Sequence, residues 1–209
     1  MKILITDDHA VVRKGLRQIL ADEFKKAEFS EAGNASEALD RIRKEHWDVV
    51  VLDITMPGRS GLEALKEIKE ARPKLPVLVL SMHPEDQFAV RVLKAGASGY
   101  MTKESATDEL VGAVRKIVAG GRYVSPALAE KMASYLAIDT PRPPHERLSD
   151  REFVVLRMIA SGKTVSQIAD ELSLSVKTVS TYRVRILEKM AMTSNAELTH
   201  YAIKNQVVE

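Results

Sequence analysis

The sequence predicts an α/β domain on a five-stranded parallel sheet, followed by a small all-α domain. Three observations carry this expectation. Up to about residue 122, short apolar runs alternate with longer segments of helical spacing, which implies a sheet wrapped on both faces through right-handed crossovers. Around DTPRPPHER the composition breaks, because Pro141, Pro143 and Pro144 cannot continue a helix and favour an extended, solvated linker. From about Arg147 no strand pattern remains, and the chain reads as four short helices with breaks at SGK, SLS and AMTSN.

In chain order the strands are KILIT, AEFSEA, VVVLD, PVLVLS and GYMTK. VVVLD is a continuous apolar run ended by Met-Pro-Gly, the pattern of a strand buried on both faces. Between strands, Val11, Val12, Leu16, Ile19 and Leu20 mark one helix, and Leu62, Leu65 and Ile68 another. After an apolar helix ending near Val118, Gly120 and Gly121 open a transition, and Pro126 to Leu136 has the makings of a short helix. The expected organisation is a first domain over residues 1–122, a linker over 123–146 and a second domain over 147–209.

The chain has 209 residues and no cysteine, which excludes disulfides and thiolate metal sites and suits a reducing compartment. No apolar segment approaches the ~20 residues that span a bilayer, so a soluble, cytoplasmic protein without a membrane partner is expected. Formal net charge is +2. That excess lies from Arg147 onward, where nine Lys and Arg face seven acids. It concentrates in TVSTYRVRILEKM, where a nucleic-acid footprint could sit.

Chemistry-bearing residues fall at strand ends. Asp7 and Asp8 follow KILIT directly, and Asp53 ends VVVLD. In a doubly wound sheet the first and third strands flank the switch point where ligands bind, so these carboxylates should converge. The apolar run should anchor Asp53 while the Met-Pro-Gly turn lifts the chain away, leaving the carboxylate exposed at the mouth of the sheet. Packed acids repel, and a hard divalent cation bound by oxygens relieves the repulsion. Asp7 or Asp8 alone reads as a helix cap; the pair together with Asp53 favours a cation site. Ser81 ends the fourth strand and Lys103 follows the fifth. Singly they read as a turn residue and a solvated tip. Together the set can manage a phosphoryl group: Asp53 as nucleophile, Mg²⁺ and Lys103 neutralising oxygens, and Ser81 donating a hydrogen bond.

The first domain, with DDH, LDITMPGRSG, LS and GYMTK, resembles the receiver domain of two-component response regulators, a flavodoxin-like doubly wound fold. The resemblance implies that Asp53 accepts phosphorus from a histidine-kinase phosphohistidine and takes part in its own phosphorylation and dephosphorylation. It further implies that Asp7 and Asp8 organise Mg²⁺, that the Thr55 backbone carbonyl completes the metal shell with Asp53, and that Tyr100 is the switch aromatic, turning inward when Ser81 moves. Many receivers have Lys-Pro where this chain has Lys103-Glu104, a change that removes the residue favouring a cis peptide.

In the second domain Ser149 can cap a helix with Glu152 completing a capping box, Gly162 stops that helix, and Ser175 starts a long one. The short helix and tight turn between them give helix-turn-helix spacing, whose second helix enters the major groove. At about 100° per residue, Val179, Ile186 and Met190 form the buried stripe of that helix, with Tyr182 at its border. Lys177, Ser180, Thr181, Val184 and Glu188 fall opposite, with Arg185 beside them. Small Ser180, Thr181 and Val184 allow close approach to bases, while Lys177, Arg183, Arg185 and Lys189 suit phosphates. With Thr178, these residues except Glu188 form the expected DNA-contact set.

Leu148 to Glu152 (L-S-x-R-E), IASGKT, QIADELSLS and KTVSTYRVRILEKM resemble the DNA-binding domain of the LuxR and NarL type. With the receiver, this is the architecture of NarL/FixJ-family transcription regulators. The resemblance implies a sensor histidine kinase, double-stranded DNA and RNA polymerase as partners, and a homodimer on activation, with Asn195 to Lys204 as the usual contact between DNA-binding domains. Ala191 stands where the family usually has Gly. A helix C′ residue often needs positive φ, so the turn there is expected to be strained or rearranged. A different class, an Mg²⁺-dependent phosphatase or phosphotransferase acting on a small substrate, normally needs a second acid near the nucleophile; two residues after Asp53 stands Thr55. DNA binding without phosphorylation is the third reading, and the intact Asp7, Asp8, Asp53, Ser81 and Lys103 set speaks against it.

Overall fold

The computed structural model describes residues 1–82, 85–137, 143–205 and 207–208, which fall in two compact units, Met1–Ile138 and Asp139–Glu209. In the first, β1 (Lys2–Thr6), β2 (Glu28–Ala32), β3 (Val49–Asp53), β4 (Val77–Ser81) and β5 (Gly99–Thr102) pair in parallel in the order β2-β1-β3-β4-β5. The apolar runs of β3 and β4 are buried throughout, as central strands require, whereas β2 buries only Ala32 and lies at an edge.

Five helices alternate with the strands: α1 (Ala10–Glu23), α2 (Ala35–Lys44), α3 (Gly61–Ala71), α4 (Glu85–Lys94) and α5 (Ala106–Val118). Because strand side chains alternate in direction, Ile3, Ile5, Val49, Val51, Leu78 and Leu80 share one face. That face packs on Leu16 and Leu20 of α1 and on Leu110, Val114 and Ile117 of α5. The starts of α2 and α3 are set by side-chain caps: Asn34 accepts from the Glu37 amide, and Ser60 forms a capping box with Glu63. The short helix expected after α5 is present as α6 (Pro126–Ala137), packed beside α4 within the same unit. Ahead of it Tyr123 bridges to Gly99 on the edge of β5.

Of the prolines expected to extend the linker, Pro141 lies outside the described residues. Pro143 is extended, at φ −52° and ψ 142°, but the extension stops there, since Pro144–Arg147 forms a 3-10 turn with proline at its first position, where no amide hydrogen is needed. The turn is held by His145, whose Nδ1 lies 2.8 Å from the Tyr201 hydroxyl. Four helices follow: α7 (Asp150–Ala160), α8 (Val165–Leu172), α9 (Val176–Met190) and α10 (Asn195–Lys204). Ser149 and Thr164 make full capping boxes, and Ser175 and Ser194 cap α9 and α10. Phe153, Leu156, Ile168, Val179, Ile186 and Leu198 are among the residues of this core. No helix among the described residues is long and apolar enough to cross a membrane.

Candidate functional site

The register of β1 on β3 explains why distant acids meet. Thr6 stands opposite Leu52, so the next residues, Asp7 and Asp53, leave the sheet side by side. Lys103 reaches over from the end of β5, its Nζ 2.6 Å from Asp7 Oδ2 and 2.8 Å from Asp53 Oδ2. The remaining Asp53 oxygen, Oδ1, accepts the Thr55 amide at 3.0 Å. Asp7 Oδ1 accepts the His9 amide at 2.8 Å.

Asp53 is not exposed as the turn chemistry suggested; it is 1% accessible. The Met-Pro-Gly turn does lead the chain away, but the Lys103 arm closes over the carboxylate. Burial pushes the Asp53 carboxyl up to about 6, against the opposing pull of Lys103 and the Thr55 amide. It therefore remains mostly a carboxylate at neutral pH. Burial also draws the Lys103 ammonium down, but its two carboxylate partners outweigh this and leave it raised and charged.

The mouth still carries more acid than Lys103 can satisfy. Asp8 Oδ1 is a buried oxygen without a hydrogen bond, and the Asp7 Oδ2 contact with Lys103 lacks hydrogen-bond geometry. Ligand atoms of Asp7, Asp8 and His9 lie within 4.8 Å of one another. Under-satisfied, oxygen-rich and close together, this donor set fits a hard divalent cation. Ser81 is fully buried at the end of β4, opposite Thr102, and its carbonyl accepts the Lys103 amide at 2.8 Å. Tyr100 is already turned into the interior, with its amide donating to the Tyr123 carbonyl at 3.3 Å. The Lys103–Glu104 peptide is trans.

Three residues at this mouth were not singled out from the sequence. His9 extends the acidic pair, with Nδ1 3.0 Å from Asp8 Oδ1. Arg13, one turn into α1, donates from Nη1 to the Asp7 carbonyl at 2.7 Å. Gly61 begins α3 where a Cβ would stand 1.9 Å from the Asp53 carbonyl oxygen, so only glycine lets the helix approach the acid's backbone. Gly61 was legible only as part of the motif LDITMPGRSG.

In the second unit, α9 buries Val179, Ile186 and Met190, the stripe that the helical wheel selects. Lys177, Ser180, Thr181, Val184 and Arg185 are exposed, and Thr178 is half-buried. The cations divide into two kinds. Lys177 and Arg185 have no side-chain partner among the described residues, whereas Arg183 Nε donates to Asn195 Oδ1 at 2.6 Å and Lys189 Nζ lies 2.6 Å from Glu152 Oε2. Glu152 is itself buried: burial raises its carboxyl, but bonds from Lys189 and Ser149 prevail and hold it below the usual range. Ala191 closes α9 at φ 53°, and Ser173 closes α8 at φ 54°. The Ala191 turn is thus retained in the left-handed conformation and not rearranged.

A parallel sheet with acids clustered at its carboxyl end, joined to a helix-turn-helix unit, defines the response regulators of two-component systems. A family model described as "Response regulator receiver domain" matches residues 3–115, and one described as "Bacterial regulatory proteins, luxR family" matches residues 146–202. The response regulator GacA of Pseudomonas aeruginosa is 40% identical over 212 residues, covering 100% of this chain and 98% of that protein. The response regulator UvrY of Escherichia coli K12 is 36% identical over 206 residues, covering 98% and 94%. Among solved structures, RcsB from Salmonella enterica serovar Typhimurium, bound to promoter rprA in the presence of phosphomimetic BeF3⁻, matches with a TM-score of 0.64 at 27% identity over 96% of this chain and 98% of that one. A LuxR-family two-component response regulator from Aurantimonas sp. matches at 38% identity and a TM-score of 0.59, over 66% of this chain and 98% of that one. The chain belongs to the two-component response regulators of the NarL/FixJ, LuxR type, and is a transcription regulator and not a classical enzyme.

Proposed function

We propose that Asp53 accepts a phosphoryl group from a sensor histidine kinase, and that this event controls dimerisation and DNA binding through α9. The observation that carries the reading is the convergence of Asp7, Asp53 and Lys103 within hydrogen-bonding range at the ends of β1, β3 and β5. In the transfer, an Asp53 carboxylate oxygen forms the new bond to phosphorus as the bond to the donor imidazole nitrogen breaks, and that nitrogen keeps the electron pair. The Thr55 amide holds Oδ1, and the long stem of Lys103 lets its ammonium follow charge onto the phosphoryl oxygens. The Ser81 hydroxyl would donate to one of them. Asp7, Asp8 and Asp53, with the Thr55 carbonyl, would hold Mg²⁺, which when bound neutralises the phosphoryl oxygens. The same machinery serves hydrolysis of the acyl phosphate, so Asp53 takes part in both gain and loss of its phosphoryl group.

A short route leads outward. Tyr100 on β5 is bonded to Tyr123, and α6 follows and packs beside α4, so displacement of Ser81 and Tyr100 reaches the linker that we place at 123–146. Residues 1–122 then form the receiver and 147–209 the DNA-binding domain. On DNA, Ser180, Thr181 and Val184 face bases. Lys177 and Arg185 bind phosphates, with Thr178 beside them at the helix start. A dimer reads two half-sites about one helical turn apart, paired through α10, and RNA polymerase is the expected downstream partner in the cytoplasm. RcsB, a solved relative, is described as bound to promoter DNA, which supports the second half of this reading.

The test is a DNA titration of wild type and Asp53→Asn, each with and without acetyl phosphate and Mg²⁺. Only wild type with the donor should show changed affinity. Equal affinity in all four conditions would remove the proposed control.

A further inference from the structure

Asp7 is hydrogen-bonded through its amide, its carbonyl and one carboxylate oxygen, and its other carboxylate oxygen faces Lys103. Its amide donates to the Ala32 carbonyl at 3.2 Å, Oδ1 accepts the His9 amide, and Oδ2 meets Lys103. The carbonyl is taken by Arg13 Nη1 at 2.7 Å. That carbonyl belongs to the peptide joining Asp7 to Asp8, so whatever fixes it also fixes where the Asp8 carboxylate stands. Arg13 is in turn held from the edge strand: its Nε donates to Glu31 Oε2 at 3.1 Å, while Arg17 lies 3.5 Å from the other Glu31 oxygen. Glu31 sits on β2 opposite Ile5, two residues before Asp7. The guanidinium thus spans α1, β1 and β2 with its fork divided between a carbonyl and a carboxylate.

We propose that Arg13 is a positioning residue for the acidic pair, and that its bond to the Asp7 carbonyl tunes the affinity of the mouth for a divalent cation. The proposal rests on the reading of Asp7 and Asp8 as the cation site. Two physical points support it beyond the distances. A permanent positive charge this near the acids would compete with a bound cation, but Glu31 neutralises it and orients the fork toward the carbonyl. And the fork's two bonds point in fixed directions, which a lysine ammonium on a flexible stem does not reproduce. A residue acting behind a ligand in this way typically changes metal affinity 10–100-fold when lost.

The experiment is calorimetric titration of Mg²⁺ into the full chain as wild type, Arg13→Gln, Arg13→Lys and Asp8→Asn, with acetyl phosphate labelling of each across Mg²⁺ concentration. Arg13→Gln should weaken Mg²⁺ binding roughly 10-fold. In labelling it should raise the half-saturating Mg²⁺ by the same factor and leave the plateau rate unchanged, a split that mere loss of fold integrity would not produce. Arg13→Lys should weaken binding about 3-fold, the cost of one modest hydrogen bond, and it stands in if the glutamine variant does not fold. Wild-type Mg²⁺ affinity in both Arg13 variants, with binding lost in Asp8→Asn, overturns the role of Arg13 and leaves the site intact. A lowered plateau at unchanged affinity also overturns it. Wild-type affinity in Asp8→Asn overturns the cation site itself, and the Arg13 proposal with it.

Discussion

The acidic mouth and the outer face of α9 handle charge in opposite ways. At the mouth, Asp7 and Asp53 are nearly inaccessible, and the largely buried Lys103 ammonium pairs with both of them within 2.8 Å. On α9, Lys177 and Arg185 stand exposed, and the helix puts its order into capping and a buried stripe. The difference follows from what each surface must bind. Phosphoryl chemistry gains from desolvated charges that already sit where charge will develop, whereas phosphates on DNA attract exposed cations by releasing counterions, with little demand on geometry. Rigidity is therefore concentrated where an oxygen must be aimed.

The largest expected effect tests that rigidity directly. In Gly61→Ala the new methyl meets the Asp53 carbonyl oxygen, and either α3 or the end of β3 must move. Overpacking of this kind costs about 3 kcal/mol, and an ångström of misplacement at a reacting group lowers rate roughly 100-fold. Urea unfolding and acetyl phosphate labelling should both show the loss. Wild-type labelling in a destabilised Gly61→Ala would mean that the mouth tolerates movement, and the contrast with α9 would lose its first half.

How much of this was legible in the sequence differs along the same line. Periodicity located the five strands, and a strand order borrowed from doubly wound sheets brought Asp7 and Asp53 to neighbouring ends; the 3.6-residue period likewise selected Val179, Ile186 and Met190 as the buried side of α9. What periodicity lacks is reach. That Lys103 closes over Asp53, that Arg13 crosses to a carbonyl six residues back, and that Lys189 is drawn to Glu152 are facts of tertiary distance between long, flexible side chains. The same residue types in the same positions would be consistent with solvated tips. Gly61 illustrates the remaining gap, because a glycine next to a serine cap looks like an ordinary helix start until the neighbouring strand is in place.

A second prediction sharpens the division among the α9 cations. Lys189→Met leaves Glu152 buried without its counter-charge; Glu152 is 3% accessible and Lys189 42%. Breaking a fully buried pair costs 3–5 kcal/mol, and the exposure of Lys189 reduces this to about 2 kcal/mol. Lys177→Met and Arg185→Met should change stability by less than about 0.5 kcal/mol. DNA binding should show the reverse order: each of the latter two lowers the slope of log affinity against log salt by about one, with Lys189→Met leaving it unchanged. Equal salt slopes for all three would erase the distinction between tied and free cations.

The smallest expected effect concerns how the second unit closes its helices. Among the described residues, the ends of α7, α8 and α9 turn on a left-handed residue and are bonded in the same way: the Lys163 amide reaches the Met158 carbonyl, Leu174 reaches Ala169, and Met192 reaches Leu187, at 3.0, 2.8 and 2.9 Å. Only the first uses glycine, Gly162 at φ 83°, while Ser173 and Ala191 adopt φ 54° and 53° with a Cβ in place. Each of the latter carries a steric cost of about 1 kcal/mol that its turn bonds must offset. Ala191→Gly and Ser173→Gly should each raise the midpoint of this unit's thermal transition, by about 4–8 °C per kcal/mol for a domain this small. The two lie at opposite ends of α9 and share none of these turn bonds, so the double variant should add the single effects. Added backbone freedom in the unfolded chain works against the gain, so an unchanged or lowered midpoint would mean that the left-handed turns impose no net strain here.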